Sequence, residues 1–315
     1  MTSRPVIAVD LGGTKIRAGV VTGGRVTNVH SAPTPARLGA SSVLDAVADL
    51  VARALTAVAP HDQAPLLLAV GSAGVIDPDS GLVISATDAL PGWAGTNLIT
   101  ELQHRTRLSV RVVNDVHAHT LGEASYGASA TARDSLLVAV GTGIGAGVIC
   151  NGRLVTGRHA AAGHLGHMPS SLAAGLPCPC GGAGHLEAIA SGPAVLNEYR
   201  RAGGRATSSS AAELAEQARE GDATAREAFA TAGRALGSAL GGVANILSPE
   251  VIVLSGGLVQ AGDLWWPHLE QAFAEELIPA VRGLSAQRAQ LGADAALIGA
   301  ASLWDGATTE IEESQ

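Results

Sequence analysis

The sequence predicts an α/β protein built as two similar halves. Three observations carry that reading. Short β-branched runs alternate with stretches of helical spacing along the chain. Two segments share one pattern: Val6 to Val20, VIAVDLGGTKIRAGV, and Leu137 to Val148, LVAVGTGIGAGV, each reading strand, glycine turn, strand. The composition is rich in alanine, valine, leucine and glycine and only 3% aromatic, which suits a core of small aliphatic side chains.

Val6 to Asp10 is the first strand and runs directly into LGGTK. Ile16 to Thr22 and Arg25 to His30 follow as strands, with Gly23-Gly24 as their hairpin turn. Ser41 to Ala57 carries Val43, Ala46, Val47, Leu50, Val51 and Leu55 at helical spacing behind a serine cap. Leu66 to Val70 reads as a buried strand and Leu98 to Arg105 as a helix. Val110 to Val113 is a strand ending at Asn114-Asp115. The second cycle opens with Ser135 to Val140, then GTGIGAGVIC, a turn at Asn151-Gly152, and a strand from Arg153 to Thr156. Gly157 to Gly184 is rich in glycine, proline, histidine and cysteine and reads as an irregular loop. Helices are expected at about 187–201, 211–219 and 223–246, a strand at Val251 to Leu254 running into Ser255-Gly256-Gly257, and helices at 263–276 and 295–304. The last ten residues are polar and read as a frayed end. The 315 residues suit two domains. Their expected extents are 1–115 and 116–315, with the final helix free to pack back on the first.

The net charge of −8 argues against a nucleic-acid surface, which needs clustered Lys and Arg. No apolar run approaches the roughly 20 residues of a membrane helix, and no signal peptide is visible. Three cysteines are too few for a disulfide scaffold, which points to a reducing, cytoplasmic setting.

The chemistry concentrates in a few motifs. In Asp10-Leu11-Gly12-Gly13-Thr14-Lys15, two glycines let the backbone turn tightly and approach a phosphate, and a strand-end Asp can orient a metal-bound water. Gly141-Thr142-Gly143-Ile144-Gly145 repeats that geometry. One glycine hairpin is an ordinary turn; two at matching places suit a nucleotide clamped from both halves. Gly256 and Gly257 after a third strand can bring backbone near an adenosine, or merely turn a strand into a helix. Asp115 at a strand end suits the carboxylate that phosphoryl transfer needs beside its attacking hydroxyl, although a lone Asp there more often caps a helix. His164, His167, Cys178, Cys180 and His185 gather in one glycine-rich loop, and Cys-x-Cys with flanking histidines can make a Cys2His2 zinc site. Incidental histidines on an exposed loop are the bland alternative.

With these residues in hand, the chain resembles the ROK family (repressors, open reading frames and kinases) of bacterial sugar kinases. The resemblance covers nearly the whole chain. It rests on DLGGTK at 10–15, NDVHAH at 114–119, VGTGIGAGV at 140–148, GHLGH at 163–167, CPCGGAGHLE at 178–187 and VLSGGL at 253–258. It implies the actin-like ATPase (ribonuclease H-like) fold, two similar domains around a nucleotide cleft that closes on its ligands. The implied activity is MgATP-dependent phosphorylation of a hexose, usually at its 6-hydroxyl. By matching position, Asp115 is the implied base and Asn114 a sugar ligand. His167 is a zinc ligand beside the sugar, Cys178 and Cys180 are zinc thiolates, and Glu187 is a sugar-binding carboxylate. Asp10, Gly12, Gly13, Thr14 and Lys15, with Gly141, Thr142 and Gly143, form the two phosphate loops.

Two departures from the family pattern matter. His185 replaces a third zinc cysteine, which leaves two thiolates and two imidazoles. His164 stands where family glucokinases carry Glu, and with EAIASG at 187–192 it resembles N-acetylmannosamine kinases. An acceptor of the N-acetylmannosamine kind is therefore expected slightly ahead of glucose, with other amino sugars or a C7-cyclitol behind; ATP is the expected donor, and the sequence leaves polyphosphate open as an alternative. A homodimer or homotetramer is expected. A ROK regulator would need an N-terminal helix-turn-helix, for which the early first strand leaves no room.

Overall fold

A computed structural model describes residues 4–56, 58, 67–205 and 208–305. The expected ends at Ala57 and Leu66 and the polar tail 306–315 lie outside the described residues. The chain opens with β1 (Val6–Leu11), β2 (Lys15–Thr22) and β3 (Arg25–Pro33), then α1 (Ala40–Leu55) and β4 (Leu67–Ser72). A small hairpin of β5 (Val75–Ile76) and β6 (Val83–Ser85) precedes α2 (Leu98–Thr106), β7 (Ser109–Asn114) and α3 (Asp115–Tyr126). The second cycle runs β8 (Ser135–Val140), β9 (Ile144–Cys150), β10 (Arg153–Leu154), α4 (Glu187–Ala190), α5 (Gly192–Arg201), α6 (Ala211–Arg219) and α7 (Ala223–Leu247). It closes with β11 (Val251–Ser255), α8 (Trp266–Glu276), β12 (Ala286–Arg288) and α9 (Ala295–Ala301).

The two cycles build two sheets of one design. The first has strand order β3-β2-β1-β4-β7 and the second β10-β9-β8-β11-β12. In each, an antiparallel hairpin (β1 with β2, β8 with β9) leads into parallel pairings (β1 with β4, β11 with β8). This is the actin-like ATPase arrangement expected from the sequence.

In the first unit, side-chain alternation along β1 sends Ile7, Val9 and Leu11 to one face and Val6 and Ala8 to the other. The first set packs with Val43, Val47, Leu50 and Leu98 of α1 and α2; the second packs with Ala118 of α3 and Ala296, Leu297 and Ile298 of α9. A strand covered on both faces must be apolar throughout, which explains why β1 and β4 read as unbroken hydrophobic runs. α9 and α3 approach closely through Gly122 and Gly299. A methyl on Gly122 would overlap the Ala295 carbonyl, and one on Gly299 the Ala118 carbonyl.

The compact units therefore differ from the expected division at 115. The first comprises 1–131, 154–162 and 290–315; the second comprises 132–153 and 163–289. α3 stays with the first unit because its buried face is needed to cover that unit's sheet.

Local expectations needed four corrections. α1 starts behind Gly39 with no side-chain cap, since Ser41 falls inside its first turn. The helix expected over 187–201 breaks at Ser191, whose extended backbone caps α5 just ahead of Pro193. α8 begins only at Trp266, after Gly262 at φ +60° interrupts the preceding 3₁₀ turns. The strand from Arg153 stops at Leu154, and the short β12 went unread. No described helix is long and apolar enough to cross a membrane.

Candidate active site

In the first unit, register sets Asp10 of β1 beside Gly71 of β4, and Gly71 beside Val113 of β7. Asp10 and Asp115 therefore leave the same end of one sheet. Gly71 is what allows this. A Cβ there would lie 2.8 Å from the Ala118 Cβ and 3.7 Å from the Asp115 Cα, so any side chain would push α3 away. The first glycine turn is braced from β3's end. Thr34 donates its amide to the Thr14 carbonyl (2.9 Å) and its hydroxyl to the Gly12 carbonyl (2.7 Å). Gly12 N–H closes the turn on the Lys15 carbonyl at 3.1 Å. Thr14 and Lys15 are exposed, and a cavity of about 490 Å³ lined by Gly13, Thr14, Thr34, Arg37 and Asp88 adjoins the turn.

Asn114, not Asp115, caps α3. Its Oδ1 accepts from the amides of Val116 (2.9 Å) and His117 (3.1 Å). Its Nδ2 donates to the Gly74 carbonyl (2.9 Å) and to Asp115 Oδ1 (2.8 Å). All four hydrogen-bonding positions of the amide are thus engaged, one of them on Asp115, and contact with an acceptor hydroxyl requires one to be exchanged. Asp115 is the first residue of α3 and also accepts the Val116 amide at 2.9 Å. Burial pushes its carboxyl above the ordinary range, and the negative charge of Asp10 adds to this. The Val116 amide, His119 and the Asn114 amide pull the other way. Burial likewise raises Asp10, against the opposing charge of Arg17. Two carboxyls at one end of the sheet, both raised above the ordinary carboxylate range, are suited to taking a proton from a hydroxyl.

In the second unit, the Gly141 amide bonds the Gly143 carbonyl at 2.9 Å, and the Gly141 carbonyl accepts from Gly192 at the start of α5, also at 2.9 Å. The brace of this turn is a carboxylate: Glu187 Oε2 accepts the Ile144 amide at 2.7 Å. Gly256, at φ +96°, packs on the end of β8 against Val140, and Gly257 follows it into the next turn.

The loop from Gly163 to Glu187 is better supported than its composition suggests. Leu165, Ala173 and Leu186 are buried in the second unit's core. Backbone bridges join Pro169 to His185 and Pro177 to Ala183. They bring together one donor atom each from His167, Cys178, Cys180 and His185, all within 4.8 Å of one another. Cys178 Sγ lies 3.7 Å from His167 Nδ1, and Cys180 Sγ lies 3.2 Å from His185 Nδ1. A tetrahedral zinc with ordinary Zn–S and Zn–N bonds has donor separations of roughly 3.3–3.8 Å, so the set fits such an ion with small adjustments. Burial lowers His167 and raises the Cys178 thiol. A neutral imidazole is ready to coordinate, whereas the thiol gains its thiolate only beside a cation. His164 is exposed, its ring stacked on His167 at 6.0 Å and 28°.

Sequence reasoning missed Thr34, whose role has no local signal, and His119, whose spacing of four from Asp115 places it on the same helix face.

The chain matches the ROK family over residues 6–307. It is 32% identical over 317 residues to a glucokinase of Halalkalibacterium halodurans, covering 95% of this chain and 94% of that one. It is equally 32% identical, over 301 residues, to an N-acetylmannosamine kinase of Yersinia pseudotuberculosis, covering 95% and 97%. Among solved structures it is similar to a ROK family glucokinase from Streptomyces griseus in complex with glucose and AMPPNP. There the TM-score is 0.81 and the identity 31%, covering 95% of this chain and 99% of that one.

Proposed function

The chain belongs to the ROK family and is an ATP-dependent sugar kinase, and from that premise we propose that Asp115 is its base and a 2-acetamido hexose its preferred acceptor. The acceptor's 6-hydroxyl gives its proton to Asp115. Its oxygen bonds the terminal phosphorus of ATP as the bridging P–O bond breaks, leaving ADP and the sugar 6-phosphate. Asn114 and the Val116 amide hold the carboxylate for that transfer. The close backbone of the glycine turns suits the donor's phosphates, as do the positive ends of peptide dipoles generally. Mg2+ accompanying ATP supplies neutralising charge to those phosphates. The His167, Cys178, Cys180 and His185 set would hold a structural zinc, and its thiolates would suit a reducing interior.

The observation that carries the acceptor class is His164. Its exposed imidazole lies against His167, itself under the charge of Glu187. A neutral imidazole offers one donor and one acceptor and can serve an acetamido carbonyl, which a carboxylate at that position would repel. Plain glucose is the second reading, favoured by the glucokinase relative at the same identity. kcat/KM for glucose and N-acetylmannosamine, measured in the wild type and in His164→Glu, decides between them. The expected result is a wild-type preference for N-acetylmannosamine that swings toward glucose in the variant by roughly 10-fold or more. A wild type that prefers glucose, with no shift in the variant, makes it a glucokinase.

A further inference from the structure

Five ionisable side chains gather at the end of the first unit's sheet. Asp10 is the last residue but one of β1 and faces Arg17 across the β1–β2 pair, while Asp115, His119 and Glu123 occupy successive turns of α3. Three have fixed partners. Arg17 is held by Asp294 (2.9 Å) and by the Ala293 carbonyl. Glu123, fully buried, accepts the amides of Ala128 (2.7 Å), Gln290 (3.1 Å) and Leu291 (2.8 Å). Asp115 is held by Asn114 and Val116. His119 is different: its Nδ1 is sealed from solvent and has no hydrogen-bond partner among the described residues. A buried ring nitrogen left unpaired, one helical turn behind a candidate base, calls for a functional account.

We propose that His119 acts through Asp115 as a positioning residue: the two side chains share the first proton they take up, so that Asp115 stays a carboxylate at pH values where it would otherwise be protonated. This rests on Asp115 being the base.

The surroundings support the pairing. Burial lowers the imidazole while Asp115 and Glu123 raise it, and Arg17 opposes them. Burial and Asp10 raise Asp115 while His119 lowers it. An acid moved up and a base moved down, one helical turn apart on α3, are placed to titrate as a pair. The pair's one-proton state then includes a form with the proton on the imidazole and the charge on Asp115. The other elements packed on α3 offer no competing partner. β4 and α9 carry no ionisable side chain, and Arg111 of β7 is turned onto the Trp304 ring at 4.4 Å and the Leu303 carbonyl.

Two measurements test this. The first is the pH profile of kcat/KM at saturating ATP, with the better of glucose and N-acetylmannosamine as acceptor, in the wild type and in His119→Gln. Without the imidazole the first proton must go to a carboxyl. The acid limb is expected to move up by at least about half a pH unit; a limb that stays in place overturns the proposal, whatever happens to the plateau. His119→Asn substitutes if the longer amide unfolds the chain. The second needs no turnover. The imidazole 15N shifts of His119 are titrated in the wild type and in Asp115→Asn. The midpoint is expected to fall when the carboxylate is lost; an unchanged midpoint overturns the pairing. Near-wild-type turnover in Asp115→Asn would instead overturn the base assignment, a separate failure.

Discussion

The two glycine turns occupy matching places in their sheets but differ in closure and in brace. In the first unit, β1 and β2 enclose a turn held by a hydroxyl and an amide of Thr34. In the second, β8 and β9 enclose a turn held by the Glu187 carboxylate on Ile144. The strand ends differ as well: β1 carries Asp10 one residue before its end, whereas in the matching sequence position β8 has already ended and Gly141 stands. One sheet design has therefore been furnished twice. The first unit keeps buried charge at its strand ends, and the second presents a loop of soft metal donors with a carboxylate that reaches back to its own turn. The shared frame is set by alternating apolar strands, and the chemistry by the few residues at the ends.

The largest effect falls on the first unit's buried charge. Asp115→Asn keeps the shape and the bond from Asn114 but removes the base, and turnover should fall about 10²–10⁴-fold with sugar affinity little changed. The same variant should be more stable. Burial and Asp10 hold the folded Asp115 carboxyl above its unfolded value. Ionisation therefore favours the unfolded chain, and stability is lost as pH rises through the folded value. Asp115→Asn removes that loss, so its Tm should exceed the wild type's at pH 7–8 and converge on it below about pH 4, where the carboxyl is protonated in both states. Calorimetry across pH reads the sign directly.

The second unit's counterpart test is metal removal. Protein purified without chelator should contain about one zinc per chain by elemental analysis. Stripping it should open the 163–187 segment to proteases while leaving Leu165, Ala173 and Leu186 in their core, so cleavage should confine itself to that segment. Protein that lacks zinc yet resists cleavage there would show that the buried side chains alone order the loop.

The smallest effect separates the two braces. Glu187→Ala removes both the bond to Ile144 and the charge near His167, and should raise KM for ATP and for sugar together, each by roughly tenfold. Glu187→Gln keeps an acceptor for Ile144 and should raise KM for the sugar alone. Thr34→Val loses one bond of about 1 kcal/mol and should move KM for ATP only, by roughly fivefold. If Glu187→Gln also raised KM for ATP, the difference drawn between the two turns would collapse.

Much of this was legible in the chain. Short unbroken apolar runs gave the central strands of both sheets because those strands are covered on both faces, and the two glycine turns stood out because each follows such a run. The donor set was legible because Cys178 and Cys180 flank a single proline. What was hidden depended on partners far along the chain. Thr34 braces the first turn from the end of β3, and nothing near it announces this. Asn114 looked like a sugar ligand, yet its amide is engaged by Gly74, whose position follows from the sheet register. The division at 115 failed because helical spacing shows that α3 has an apolar face but not which sheet it covers.

α9 gives the first unit a consequence in time. Its residues 295–301 supply Ala296, Leu297 and Ile298 to one face of β1 and β4, and Trp304 just beyond donates to the Leu68 carbonyl at 3.2 Å. Chains are made from the N-terminus, so the strand bearing Asp10 is synthesised long before the helix that covers it. Until residue 304 has emerged, Val6, Ala8, Leu67 and Ala69 have that face covered by α3 alone. The second unit, made of 132–153 and 163–289, has all its pieces sooner. The half that begins the chain is thus the last to finish folding, and a chain cut just after residue 289 holds every piece of the second unit while its first unit lacks α9.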